Sequence, residues 1–281
     1  MGIGRILGVE PDKTASFSRG DVEGYVAADS GKFLVAFRGS EPPTSKDVIH
    51  DRLRDLDAVP VLLRDYVDDG PPFARIHQGF ADGVHDVIAP LLVAMHTLNP
   101  EGNLPLWITG HSLGGVLAVV AASFFRFDSQ LRRDVQGLYT FGQPRVAGPG
   151  HALEIDRELG NRYQRVVNRL DIVPRLPPRG LLREYADAGV IQWLDEAGYL
   201  HTRGIPRYDS LLAVSLQDLL SGRAEGNPFA ATFAAFKVDL ADPVTDHLLR
   251  MQLFPAVPKE NLGSYLCKLA HLAGQGLPAS P

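Results

Sequence analysis

Leu104-Pro105-Leu106-Trp107-Ile108-Thr109-Gly110-His111-Ser112-Leu113-Gly114-Gly115-Val116-Leu117-Ala118 is the stretch from which the organisation of the chain unfolds. Its first six residues form a short apolar run that leads into a glycine, which reads as a strand. From Leu113 to Phe125 the chain is apolar nearly all round, as a helix packed under a sheet would be. Between the two, Gly110-His111-Ser112-Leu113-Gly114 fits the pattern G-x-S-x-G. In that pattern a serine sits on a sharp strand-to-helix turn, and side chains at the flanking positions would strike neighbouring backbone. Chance alone produces such a five-residue pattern in roughly one of eight chains of this composition, so the strand before it and the helix after it carry the weight.

Working outward, the same alternation continues on both sides. Upstream, Gly24-Tyr25-Val26-Ala27-Ala28 and Phe33-Leu34-Val35-Ala36-Phe37 are strand-like, and Asp29-Ser30-Gly31 between them predicts a hairpin. Phe80 to Leu98 has helical apolar spacing at Val84, Ile88, Leu91, Leu92 and Met95, with Pro90 expected to kink or divide it. Downstream, Gly137 to Phe141 and Tyr163 to Asn168 read as strands, separated by a helical stretch from Pro149 to Leu159. Strands alternating with helices predict a mostly parallel central sheet with helices on both faces. No linker-like composition shift, repeat or low-complexity tract divides the chain, so a single domain over residues 1–281 is expected.

The composition excludes several classes. With 45% hydrophobic and 22% charged residues, the 281-residue chain has the balance of an ordinary globular protein. A net charge of -5 argues against a nucleic-acid partner. The arginines at 157, 162, 165, 169, 175, 179 and 183 are interrupted by acidic residues and prolines, which suits a solvated face or scattered ion pairs. Cys267 is the single cysteine, so no intramolecular disulfide can form. No apolar run is long enough to span a membrane, and the first residues lack a signal-peptide pattern. The chain as given is expected to be cytoplasmic, or secreted if a leader has been removed. No paired His/Asp/Glu spacing argues for a metal, and no cofactor is expected.

The blocks Gly110-His111-Ser112-Leu113-Gly114-Gly115, Phe37-Arg38-Gly39-Ser40, His77-Gln78-Gly79-Phe80 and Tyr139-Thr140-Phe141-Gly142-Gln143-Pro144-Arg145-Val146 resemble the fungal-type class 3 lipases. So does Asn168-Arg169-Leu170-Asp171-Ile172-Val173-Pro174, with Leu176-Pro177-Pro178 after it. These blocks follow in the family's order from about residue 24 to 178. The resemblance implies the α/β-hydrolase fold and the hydrolysis of carboxylic esters, with an ester or lipid as substrate.

A serine hydroxyl near neutral pH needs a base, and the base needs an orienting acid. In this fold they follow the serine in the order acid, then histidine. Asp171 comes just after the strand that ends at Asn168, at the carboxyl edge where catalytic residues of such sheets gather. The resemblance places the family's acid there too; a turn-capping aspartate is the alternative. His201, His247 and His271 all follow it. His247, in Val244-Thr245-Asp246-His247, resembles the segment carrying the family's base. His201 resembles a second family histidine that is not the base, and His271 reads as a surface residue. The amide of Leu113 is the expected first donor to the oxyanion. The resemblance implies that Ser40 supplies the second.

From Ser40 onward, Pro42-Pro43 and then Ile49, Leu53 and Leu56 at i, i+4 and i+7 predict an amphipathic helix. The resembled lipases carry a lid there, over about residues 41–56; a permanently packed surface helix is the alternative. Two departures stand out. The helix that usually precedes the first strands is short or missing, and the region of about 202–246 is lengthened, with Phe229, Phe233 and Phe236 at helical spacing. The expected activity is therefore that of a serine ester hydrolase, a lipase acting on acylglycerols through an acyl-enzyme. A short-chain esterase, a phospholipase A1 and a feruloyl-type esterase are its rivals, and a non-catalytic hydrolase-fold scaffold is the alternative from another class.

Overall fold

The computed structural model describes residues 13–29, 31–39, 60–102, 104–168, 171, 173–175, 185–195 and 199–203. The chain divides into two compact units, residues 1–40, 58–165 and 186–190 in the first and 41–57, 166–185 and 191–281 in the second.

The first unit is built on a sheet. Its strands are β1 (Thr14–Arg19), β2 (Val22–Ala28), β3 (Phe33–Phe37), β6 (Leu106–His111) and β7 (Val135–Phe141), neighbours in that order. The first half of β8 (Tyr163–Asn168) belongs to the same unit and follows β7. β1, β2 and β3 pair antiparallel as a meander. β3 pairs parallel with β6, and β6 parallel with β7. The hairpin turn between β2 and β3 closes as its sequence predicts, for Asp29 Oδ1 accepts the amides of Gly31 and Lys32. A small antiparallel pair, β4 (Pro60–Leu62) with β5 (Arg75–His77), stands apart from the main sheet.

Among the described residues, three helices follow strands: α1 (Gln78–Leu98), α2 (Leu113–Phe127) and α3 (Pro149–Leu159). α1 runs undivided through Pro90. Its core stripe of Val84, Val87, Leu91, Ala94 and Met95 packs against β1, β2 and α2, and that burial outweighs the lost amide bond. α2 is buried at every residue from Gly114 to Phe125, as its unbroken apolar sequence requires. It lies on β6 and β7, over the inward row Leu106, Ile108 and Gly110, each fully buried or nearly so. Each such Val, Leu, Ile or Phe contributes about 1.5–3 kcal/mol when fully buried. Ser123 of α2 ties in α3, because its Oγ donates to the Val119 carbonyl and lies 2.8 Å from His151 Nε2. The opposite row of Leu34, Trp107, Thr109 and Phe141 is only partly buried and Tyr139 is exposed among the described residues.

A strand and helix alternation around a mostly parallel sheet is the α/β-hydrolase arrangement, as expected. β1 is an element that the sequence pattern does not announce. Only Phe17 of its six residues is buried, so its alternation is faint. It is held by pairing with β2 and by the Phe17 ring edge-on to Phe37, 5.3 Å between centroids.

In the second unit, which takes up β9 (Val190–Leu194) from Ile191 on, that strand pairs antiparallel with β10 (Leu200–His201), registering Leu194 with Leu200 and Trp193 with His201.

Candidate active site

The Gly110–Gly114 motif folds into the turn its residues predict. β6 ends at His111, Ser112 makes the corner, and α2 starts at Leu113. Ser112 has φ 53° and ψ -123°, and it is the one non-glycine residue with positive φ among the described residues. That conformation costs an L-residue on the order of 1–3 kcal/mol and persists only where the surroundings over-determine it. Here they do. The Ser112 amide donates to the Phe141 carbonyl at the end of β7 (2.8 Å), and its carbonyl accepts from Gly115 (3.0 Å) to open the helix.

The glycines are required by contact. A Cβ on Gly110 would collide with the Gly114 carbonyl and lie 2.6 Å from the Gly115 amide nitrogen. One on Gly114 would strike the Phe37 carbonyl and sit 2.8 Å from the Arg38 carbonyl carbon. Backbone cannot yield as a flexible side chain can, so both positions exclude a side chain. Gly115 is tight against the Gln143 side chain, where a Cβ would be 3.0 Å from Gln143 Cβ. The end of β3 therefore packs directly against the elbow.

Leu113 is the first residue of α2, so its amide has no acceptor within the helix. It points from a helix N-terminus, where partial positive charge gathers and anions are favoured. Gly39 lies beside the same corner, for a Cβ there would be 2.7 Å from the His111 carbonyl oxygen. Ser40 itself lies outside the described residues, as do the lid-like segment 41–56, His247, His271, Cys267 and all but the first two residues of the lengthened region 202–246.

Asp171, in the second unit, is fully buried. Its amide donates to the Asn168 carbonyl (2.9 Å), and its Oδ1 accepts the Val173 amide (3.0 Å). The carboxylate therefore caps its own turn, which holds it in one orientation. A capping role and a catalytic one are compatible, because a carboxylate has two oxygens and several lone pairs.

His201 sits in β10, with Nε2 2.8 Å from Asp195 Oδ2 and its ring 5.5 Å from that of Trp193. It braces the β9–β10 hairpin. His111 alternates to the sheet face opposite α2, away from the helix that Ser112 opens. His77 is buried and stacked on Phe80, 4.0 Å between rings, and its amide donates to the Val146 carbonyl. That bond joins two of the quoted sequence blocks.

One group was not legible beforehand. Arg165, from the arginine-rich stretch, is almost wholly buried and pairs with Asp187 at 2.7 Å. Arg145 is equally buried and donates from Nε to the same oxygen at 2.9 Å. Burial alone would raise the Asp187 carboxyl, but Arg165 and Arg145 beside it hold it far below the usual carboxylate range. Elsewhere in the stretch, Arg157 pairs with Glu154 and Arg162 with Asp134, the scattered ion pairs that the sequence suggests.

No helix among the described residues is long and apolar enough to cross a membrane. A lipase from Rhizomucor miehei is 31% identical over 189 residues, covering 66% of this chain and 46% of that protein. A secreted mono- and diacylglycerol lipase from Fusarium solani is 37% identical over 123 residues, covering 43% of this chain and 34% of that protein. Among solved structures, the triacylglyceride lipase of Rhizomucor miehei superposes with a TM-score of 0.50 at 30% identity, covering 65% of each chain. The matches span less than half the length of these two curated relatives. The family model for lipase (class 3) matches residues 34–181, more than half of the chain, and the chain belongs to the class 3 lipases.

Proposed function

We propose that the chain is a serine carboxylic ester hydrolase that acts on acylglycerol esters through an acyl-enzyme. The observation that carries this reading is Ser112, held at φ 53° between a strand and the N-terminus of a buried helix. A residue in that conformation costs stability, and such strain clusters at sites where a side chain must be presented. Ser112 Oγ attacks the ester carbonyl carbon as His247 takes its proton. The carbonyl oxygen becomes an oxyanion, received by the Leu113 amide and by Ser40. Collapse breaks the bond to the alcohol, which leaves with the proton from His247. Water, deprotonated by the same histidine, then releases the acid and restores Ser112. Asp171 orients His247 and balances its charge; its single orientation, fixed by the Val173 amide, suits that task.

The names of the relatives, triacylglyceride lipase and mono- and diacylglycerol lipase, support acylglycerols over other esters. The amphipathic spacing of Ile49, Leu53 and Leu56 supports a lid that opens at a lipid surface. The relatives named as secreted support export as the setting for such work.

A fluorophosphonate should label Ser112 stoichiometrically, and the adduct should map to that residue by mass spectrometry. Absence of labelling in folded protein would favour a scaffold without activity. Hydrolysis rates across ester chain lengths, below and above each substrate's solubility limit, should rise once emulsion forms. A rate that saturates on soluble butyrate and ignores emulsion would replace the lipase reading with a short-chain esterase.

A further inference from the structure

The chain leaves the first unit after Arg165 and re-enters it at Ala186, and the excursion between them carries Asp171. The two ends of that excursion are joined. Arg165 Nη1, at the exit, lies 2.7 Å from Asp187 Oδ1, at the return. Arg145, which follows β7, donates from Nε to the same oxygen and lies with Nη2 3.5 Å from Oδ2. The returning chain is fastened twice more. Ala186 donates to the Ala147 carbonyl (2.9 Å), and Gly189 donates to Asp156 Oδ1 (2.6 Å). At φ 81°, Gly189 also lies flat on the Tyr163 ring, where a Cβ would be 2.8 Å from Cγ.

These fastenings lead back to the nucleophile. The Tyr163 hydroxyl donates to Gln143 Oε1 (2.8 Å), and the Gln143 side chain packs against Gly115 on the first turn of the elbow helix. Buried ion pairs contribute little net stability, since desolvation offsets the attraction and apolar residues of the same volume serve as well. What two guanidinium groups on one carboxylate supply is geometry, because the planar group fixes each donor direction, and Arg145 grips both oxygens.

We propose that Asp187 is a positioning residue for catalysis: bridged by Arg145 and Arg165, it clasps the base of the 166–185 excursion and so fixes the chain ends between which Asp171 is carried. This rests on the reading of Asp171 as the triad acid. A slackened clasp lets the acid drift, the base loses its support, and kcat falls while substrate binding does not.

The test uses the full chain and a soluble butyrate ester, assayed well below the melting temperature. Asp187→Asn should lower kcat about 10- to 100-fold with KM nearly unchanged, the scale of an ångström-sized misplacement of a catalytic group. The acid limb of its kcat–pH profile should shift to lower pH, because an unsupported histidine is less basic. Asp187→Glu should recover part of the rate. In an Asp171→Asn background, adding Asp187→Asn should cost nothing further, since Asp187 acts through Asp171. A wild-type kcat and pH limb in Asp187→Asn, or a full additional loss in the double variant, would overturn the proposal and leave a structural ion pair. Should Asp187→Asn fail to fold, Arg165→Lys keeps the charge and removes the planar guanidinium with its fixed donor direction; the same rate loss and pH shift are expected, and their absence overturns the clasp. A full rate in Asp171→Asn alone would instead remove the triad reading, a result separable from any of these.

Discussion

Around Ser112 the chain is held by backbone packed on backbone, whereas the ends of the excursion that carries Asp171 are held by hydrogen bonds and ion pairs. The elbow depends on what is missing at Gly110 and Gly114, where a single carbon would meet main chain on the far side. The excursion that carries Asp171 depends on what is present at its base, two guanidinium groups and a carboxylate brought together from residues 145, 165 and 187. Contact of the first kind is indifferent to the side chain at Ser112 and to pH. Contact of the second kind responds to both charge and protonation. The two halves of the proposed triad should therefore fail differently.

Removing the proposed nucleophile or the proposed base is the largest break. Ser112→Ala and His247→Ala should each lower kcat by a factor on the order of 10⁵–10⁶ with the melting temperature close to wild type. A tenth of the wild-type rate retained in clean Ser112→Ala would sink the triad. His201→Ala serves as the control, because its ring is tied to Asp195 within a hairpin. It should melt earlier yet turn over normally in the cold, and the reverse pattern would move the base to His201.

Asp171→Asn comes next, at about 10⁴ in kcat, because an amide holds the histidine in the wrong tautomer. The fold should survive, since the asparagine oxygen can still accept the Val173 amide. Circular dichroism melts alongside the rate separate the two roles of this residue.

Ser40→Ala tests the proposed second donor to the oxyanion. If its hydroxyl donates to the oxyanion, kcat should drop by on the order of 10²–10³ with little change in KM. A rate within about threefold of wild type would leave only the backbone amide in that role.

Acid should loosen the two regions at different pH. Burial holds His151, beneath α2, at about 4 instead of its ordinary 6.5, so the unfolded chain takes up that proton first. Its contribution to stability is complete above pH 6.5 and is lost as the pH falls toward 4, by about 3 kcal/mol at most. Asp187 is depressed, so its contribution is lost only below about pH 4, the ordinary carboxylate range. Urea midpoints at pH 7 and 4.5 should differ for wild type and differ less for His151→Gln. An equal slope in the variant would assign the acid sensitivity elsewhere.

The smallest effect sharpens the comparison at its centre. Ser112→Gly should stabilise the chain by about 1 kcal/mol, because glycine adopts positive φ without strain. A loss of stability would mean that the serine side chain, and not the packing around it, holds the corner.

The sequence by itself determined the strand, corner and helix at residues 106–127, the β2–β3 hairpin, the helix at 149–159 and the strand at 163–168. Each is written in local pattern: apolar period, turn residues, and glycines at a fixed offset from a serine. It placed Asp171 at a strand's end for the same reason, although its burial came only from the fold. Only tertiary structure carried α1 through Pro90, recruited β1 onto the sheet edge, and turned Arg165 from a member of a charged stretch into a buried ion pair with Asp187. An arginine's neighbours in the chain do not say whether it meets water or a carboxylate 22 residues away. That is decided by which strands lie side by side, and desolvation then makes the pairing obligatory, because a buried charge without a partner costs several kcal/mol.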